Sequence, residues 1–243
     1  MSAPSKVVES AAAPGRERED LSEPVTTAML MAKYFAKAGI THLFGYPGDP
    51  NIELLEHCRR EGLTFILTRR EGTAAFMADA FGQLTGLPGV CVSTLGPGST
   101  NLVNGVATAL LDRTPMIAVS GQMSTRLEPL FTHQNVDQGR LFASISKWAT
   151  DIVPEAAGSI MRKALRMATA ERPGSVHITT AANVLAAEAG DREIRLPPLR
   201  PSGEAADVFC ASGQPSQPAA LLGRARRPVL LAGMAAVRAG CGP

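Results

Sequence analysis

Glu71 is the residue with the clearest chemistry in this chain. It stands in Arg70-Glu71-Gly72-Thr73-Ala74-Ala75-Phe76-Met77-Ala78-Asp79, an acid followed by four residues of very little bulk. A carboxylate in such a clearing can meet something flat at close range and exchange a proton with it. A plainer reading is also physical. An acid in the first turn of a helix is favoured by roughly 0.3–1 kcal/mol, and Arg69 or Arg70 could pair with it. A helix that needed only a solvated cap would not need the small residues that follow.

Three further segments have the same character. Gly45-Tyr46-Pro47-Gly48 and Leu95-Gly96-Pro97-Gly98-Ser99-Thr100-Asn101 are glycine-rich, and Ser120-Gly121-Gln122 closes an apolar run. Glycines ahead of a helix allow tight turning and close approach of a ligand to backbone N–H groups. The Gly96–Asn101 loop could cradle a phosphate or simply seat its helix on a sheet. No Gly-Lys-Ser/Thr follows it, and its spacing is not that of a dinucleotide fingerprint. The Gln122 amide could touch a ligand or be satisfied by nearby backbone. His133, Gln134 and Asp137 form a polar group. With four histidines in all and no close carboxylate–histidine pattern, no metal ligand is assigned. Trp148 and the pair Met29 and Met31 read as packing, and the Arg224–Arg227 cluster as a solvated helix end.

These residues need elements to hold them. Thr26 or Thr27 can cap a helix with Leu30, Met31, Tyr34, Phe35 and Ala38 on one face, ended by Gly39. A strand is expected at 42–45, a helix at 51–60, a strand at 63–68 and a helix at 72–84. A strand at 89–94, a helix at 102–111 and a strand at 115–120 complete the alternation. Beyond it, 144–153 reads as a strand, 155–170 as an amphipathic helix and 174–180 as a strand. Strand and helix alternate with short links, and the strands are nearly continuous in apolar residues. That calls for a three-layer α/β fold: a doubly wound parallel sheet with helices on both faces. Each candidate segment then falls at the carboxyl edge of the sheet, where such folds bind ligands.

Composition sets outer limits. The 243 residues carry a net charge of +2, with 45% apolar and 19% charged residues. That is an ordinary globular balance, with no field calling for nucleic acid or an anionic membrane. No apolar run approaches the roughly 20 residues of a membrane span. Residues 1–23 read as a disordered lead-in without a signal core, so a cytoplasmic location is expected. The four cysteines, at 58, 91, 210 and 241, have no CxxC spacing and read as buried reduced thiols. Residues 24–186 form the main domain and 187–218 a Pro- and Gly-marked linker. Residues 219–243 open a second α/β unit, with a helix at 219–226 and a strand at 227–233. A lone strand cannot bury its faces, so a truncated chain is expected.

Taken in order, Phe44-Gly45-Tyr46-Pro47-Gly48, Arg70-Glu71-Gly72-Thr73-Ala74-Ala75, Gly96-Pro97-Gly98-Ser99-Thr100-Asn101, Ser120-Gly121-Gln122 and Arg172-Pro173-Gly174 resemble one family. It is the N-terminal pyrimidine-binding domain of thiamine-diphosphate-dependent enzymes, in the acetolactate synthase-like group. The resemblance runs from about residue 26 to 183, and the tail from 226 looks like the start of that group's central domain. It implies that Glu71 hydrogen-bonds N1′ of the aminopyrimidine and promotes formation of the C2 ylid, which attacks a 2-oxo acid. Gln122 matches an active-site glutamine. Gly45, Tyr46, Pro47, Gly48, Thr94, Gly96, Pro97, Gly98 and Asn101 match the walls of the cofactor site.

The sequence also departs from the pattern. Pro47-Gly48-Asp49 stands where acetolactate synthases usually have Pro-Gly-Gly, and Thr132-His133-Gln134 where they have Phe-Gln-Glu. Decarboxylase, lyase or acyltransferase specificity is therefore open. The family holds diphosphate and Mg²⁺ through a C-terminal Gly-Asp-Gly motif and a downstream Asn, which this sequence lacks. The resemblance thus implies half a site, inactive alone and completed across a subunit interface by a homo-oligomer or an intact homologue. Flavin, structural in some relatives, cannot be inferred. A non-catalytic interaction module pairing through the same face, and a nucleotide-binding domain using Gly96–Asn101, are the other readings.

Overall fold

The computed structural model describes residues 18–20, 24–128, 130, 132–190, 193–196, 199, 216–229 and 231–238. Six strands make one sheet: β2 (His42–Gly45), β3 (Thr64–Leu67), β4 (Gly89–Ser93), β5 (Met116–Gln122), β6 (Ala149–Asp151) and β7 (Ser175–Ala181). Their order is β3-β2-β4-β5-β7-β6, all parallel. From β2 the chain crosses outward to β3 through α2 (Ile52–Arg60), then back past β2 to β4 through α3 (Glu71–Thr85). The direction of winding reverses between β2 and β4. That is the switch point at which doubly wound sheets open a crevice.

Helices cover both faces. α1 (Thr27–Lys37), α2 and α7 (Ala157–Thr169) pack on one side around Leu30, Met31, Tyr34, Phe35, Leu54, Met161 and Leu165. On the other, α3, α5 (Val103–Leu111) and α6 (Gln138–Ala143) enclose Ala74, Ala78, Leu102, Val106 and Phe142. The α1 start is capped as its sequence dictates, with Thr26 Oγ1 accepting from Met29 N at 3.2 Å. Every residue of β4, β5 and β7 is buried, which accounts for their unbroken apolar character.

Several helix–sheet joints are backbone on backbone. A Cβ at Gly89 would run into the Ala78 carbonyl group of α3, and one at Gly45 into Val92 O of β4. Gly105 of α5 leaves no room beside Ala75 of α3. Gly89 lets α3 lie close on the sheet, Gly105 lets α5 lie close on α3, and α3 begins with Glu71.

Some expectations are corrected. The lead-in is not wholly irregular: Arg18–Asp20 forms β1, antiparallel to β8 (Glu193–Arg195), which lies inside the expected linker. The Tyr34 hydroxyl, fully buried, accepts from Arg195 N at 3.3 Å. The rest of 1–23, and 200–215, lie outside the described residues. The strand expected at 144–153 shrinks to β6. Its first residues instead follow α6, which caps on Asp137 and has too short a pattern to betray itself. The strand expected at 227–233 is not formed among the described residues there; Val229 and Leu231 are exposed and irregular. Without a neighbouring strand there is no ladder to hold them. The helix before it is α9 (Ser216–Arg224), followed later by α10 (Met234–Arg238). Cys58 and Cys91 are free and buried, and burial pushes both thiols up to about 12. Cys210 and Cys241 lie outside the described residues.

His177 is buried at the sheet centre, its ring stacked on Phe142 with centroids 3.7 Å apart. Nε2 lies 3.0 Å from Ser120 Oγ, while Nδ1 has no partner among the described residues. Burial pushes this imidazole down from 6.5 to about 3. Between those values the unfolded chain takes up a proton that the folded chain excludes. Stability present at neutral pH is therefore lost as pH falls below 6.5, by up to about 1.4 kcal/mol per pH unit. Urea unfolding at about pH 7, 6 and 5 measures this slope. His177→Gln should flatten it, and equal slopes in both proteins would acquit the histidine.

Candidate functional site

Loops from both sides of the switch point meet. After β2, the chain turns through Tyr46, Pro47 and Gly48. After β4 it passes through Thr94 and Gly96 into α4 (Pro97–Asn101). Gly48 lies so close to Thr94 that a Cβ would collide with the threonine side chain. Gly96 takes φ +56°, a conformation that suits glycine, and a Cβ there would lie 2.6 Å from Gln134 O.

Glu71 enters this crevice as the first residue of α3, only 9% exposed. Asn101 Nδ2 donates to its Oε2 at 3.0 Å. Its Oε1 faces Gly98, where a Cβ would sit 3.2 Å from that oxygen and 2.7 Å from Thr94 Cγ2. Neither Arg69 nor Arg70 pairs with the carboxylate, and both are exposed. The pairing that a plain helix-start acid would make is absent. What surrounds the acid is Gly98, Thr94, Asn101 and the small residues Gly72–Ala75.

Of the residues expected at the site, Gly48, Glu71, Thr94, Gly98 and Asn101 come together. Gly96 and Pro97 form the turn that delivers Gly98, and Gly45 seats β2 against β4. Tyr46 and Pro47 stand exposed at the rim. Gln122 ends the next strand and is turned to its own loop: Nε2 donates to Val136 O at 3.3 Å and Oε1 accepts from Met123 N at 3.0 Å. Beside it opens a cavity of about 680 Å³ whose walls include Gln122, Asp137, Gln138, Asp151 and Thr179 but not Glu71. Glu71 does not line that cavity; its carboxylate faces the Gly98 and Thr94 side of the loops. Asp137 caps α6 by accepting from Arg140 N at 2.9 Å. Among the described residues no group of three or more His, Cys, Asp or Glu could hold a metal ion.

One residue the sequence did not single out is Asn51, fully buried at the end of the turn Asp49–Asn51. An Asn just before a helix reads as a cap, yet its side chain makes no cap bond. It reaches across the sheet edge to Ser93 O and receives the Thr180 hydroxyl at 2.8 Å. These partners are 42 and 129 residues away.

A doubly wound sheet with a carboxylate held against glycine at its switch point defines a ligand-binding α/β domain. Residues 25–141 match the model of the family described as thiamine pyrophosphate enzyme, N-terminal TPP binding domain, and this segment of the chain belongs to that family. The chain is 37% identical over 216 residues to a probable acetolactate synthase large subunit of Methanocaldococcus jannaschii, spanning 85% of this chain and 35% of that protein. It is 32% identical over 212 residues to an acetolactate synthase of Bacillus subtilis, 85% and 36% respectively. A probable 2-ketoarginine decarboxylase of Pseudomonas aeruginosa is 32% identical over 220 residues, 89% and 39%. The chain spans little more than a third of the length of these relatives.

Proposed function

We propose that this chain supplies the pyrimidine-binding half of a thiamine diphosphate site in an enzyme acting on 2-oxo acids. The observation that carries the reading is the Glu71 carboxylate, withdrawn from solvent and set against Gly98 with no side chain between them. An aminopyrimidine would meet the carboxylate edge-on beside main chain, since a side chain at position 98 would crowd both Thr94 Cγ2 and Glu71 Oε1. When bound, thiamine diphosphate supplies a nucleophilic carbon and an electron sink for decarboxylation and carbon–carbon ligation. Glu71 holds and returns a proton at the ring-nitrogen end. Asn101 fixes the carboxylate by donating to Oε2, which leaves Oε1 for the ligand. Thr94, Gly48 and Gly98 bound the ring. Diphosphate and Mg²⁺ are assigned to groups outside this crevice. The relatives' names support acetolactate formation or decarboxylation of a larger 2-oxo acid. The His133–Gln134 stretch, docked on Gly96, is where that choice would be made.

The test is a titration of the purified chain with thiamine diphosphate and Mg²⁺, followed by amide shifts, alone and with a diphosphate-binding domain added in trans. Carbon dioxide release from pyruvate and other 2-oxo acids is assayed alongside. Shifts centred on Glu71, Thr94 and Gly98, with turnover only in the mixture, support the reading. Shifts elsewhere would overturn it.

The partner proposed is a second copy or an intact homologue, and the outer face of α3 favours this. Phe76 is 47% exposed, Met77 40% and Leu84 87%, with Ala80 also exposed. Met77, Ala80 and Leu84 are spaced by three and four residues with Phe76 beside them, an apolar stripe along the helix that Glu71 begins. Phe76→Asp should weaken self-association in sedimentation equilibrium by about tenfold, as removal of one interface anchor does. An unchanged association constant would place the interface elsewhere.

A further inference from the structure

We propose that Asn51 is a positioning residue for the Glu71 crevice, acting through the turn it ends; the inference rests on the function proposed above. Asn51 is fully buried, and both ends of its amide are used. Nδ2 donates to Ser93 O at the end of β4. Oδ1 accepts from Thr180 Oγ1 on β7 at 2.8 Å, and that hydroxyl also lies 3.2 Å from Ser120 O of β5. One side chain therefore ties the post-β2 turn directly to the ends of β4 and β7, and through Thr180 to β5. Gly121 is bare where the turn crosses it: a Cβ there would lie 2.9 Å from Pro50 Cβ and 3.1 Å from Asn51 Nδ2.

The turn so fixed delivers Gly48 onto Thr94, and Thr94 is the wall that faces Gly98 and Glu71. Beside the Asn51 tie, the turn is held by buried Pro50 packed over Gly121 and by few main-chain bonds. Its backbone bonds here are Tyr46 N to Val92 O at 3.3 Å and Asn51 N to Gly48 O at 2.9 Å, and the second lies within the turn itself. The crevice wall is thus set by a residue that does not touch the ligand. Two bonds to a buried amide from strands on either side make the placement strict, because each unmet partner would remain buried without water.

The experiment compares the chain with Asn51→Ala, Thr180→Val and Thr180→Ser. Thiamine diphosphate affinity is read from amide shifts at Thr94 and Gly98, and hydrogen exchange is read at Tyr46 and Gly48. Asn51→Ala should weaken affinity at least tenfold and speed exchange in the turn. Thr180→Val, which keeps the shape but not the hydroxyl, should weaken it severalfold, and Thr180→Ser should restore it. The serine rescue separates positioning from general stability, which urea unfolding measures in parallel. Variants that lose stability but bind as tightly as wild type, or a serine variant no better than valine, would overturn the inference. If wild type itself gives no shifts at Glu71, Thr94 and Gly98, the proposed function fails and the inference falls with it.

Discussion

Glu71→Gln abolishes most of the turnover in the complemented assay, by about 10²–10⁴-fold, the range assigned to a positioned general acid or base. The fold survives the change. Glutamine is nearly isosteric, and its side-chain oxygen can still accept from Asn101 Nδ2, which holds Glu71 Oε2 at 3.0 Å. What is lost is the ability to take up and return a proton at an oxygen facing Gly98. Circular dichroism and the urea midpoint should therefore stay close to wild type while carbon dioxide release collapses. Undiminished release in the glutamine variant would remove Glu71 from the mechanism. Asn101→Ala complements the test. It frees Oε2 and should lower turnover less, because the carboxylate remains and only its orientation loosens.

Gly89→Ala destabilises the domain by about 3 kcal/mol, the upper end of what overpacking a core costs. The added methyl would point into the Ala78 carbonyl group, which is main chain and cannot rotate away. Relief requires α3 to move off β4, and the buried side chains Ala74, Ala75 and Ala78 must move with it. Gly223→Ala is the control. It lies in α9 with nothing within 4 Å, where alanine is the better helix former by up to about 1 kcal/mol. Urea unfolding should show the first midpoint fall steeply and the second hold or rise. If Gly89→Ala unfolds at the wild-type midpoint, α3 is not seated as described. Because Glu71 begins α3, surviving Gly89→Ala protein should also bind thiamine diphosphate more weakly.

Much of this is legible in the sequence alone. The alternation of apolar runs with helical stretches gave the parallel sheet, and Thr26 and Gly39 marked the limits of α1 through local cap chemistry. The clearing after Glu71 pointed to the crevice because small residues in a row are visible as such. Long-range pairing was not visible. The Asn101–Glu71 bond joins residues 30 apart, and the Thr180–Asn51 bond residues 129 apart. No periodicity encodes either. The six residues of α6 and the three of β6 are too short to show a repeat, so both merged into one expected strand. At Val229 and Leu231 the apolar run predicts a strand that does not form there, because a strand needs a neighbour, which a local pattern does not supply.

Where Glu71 Oε1 faces Gly98 the wall is main chain, flanked by the Thr94 and Asn101 side chains. A surface built of main chain keeps one shape whatever amino acids drift nearby, so it offers natural selection few small steps. The stretch after β5 is different, because a cavity there is walled by side chains, among them Gln122, Asp137 and Gln138. On the function proposed above, lineages descending from this domain would keep the Glu71 surroundings as a fixed part and vary the neighbouring cavity one residue at a time.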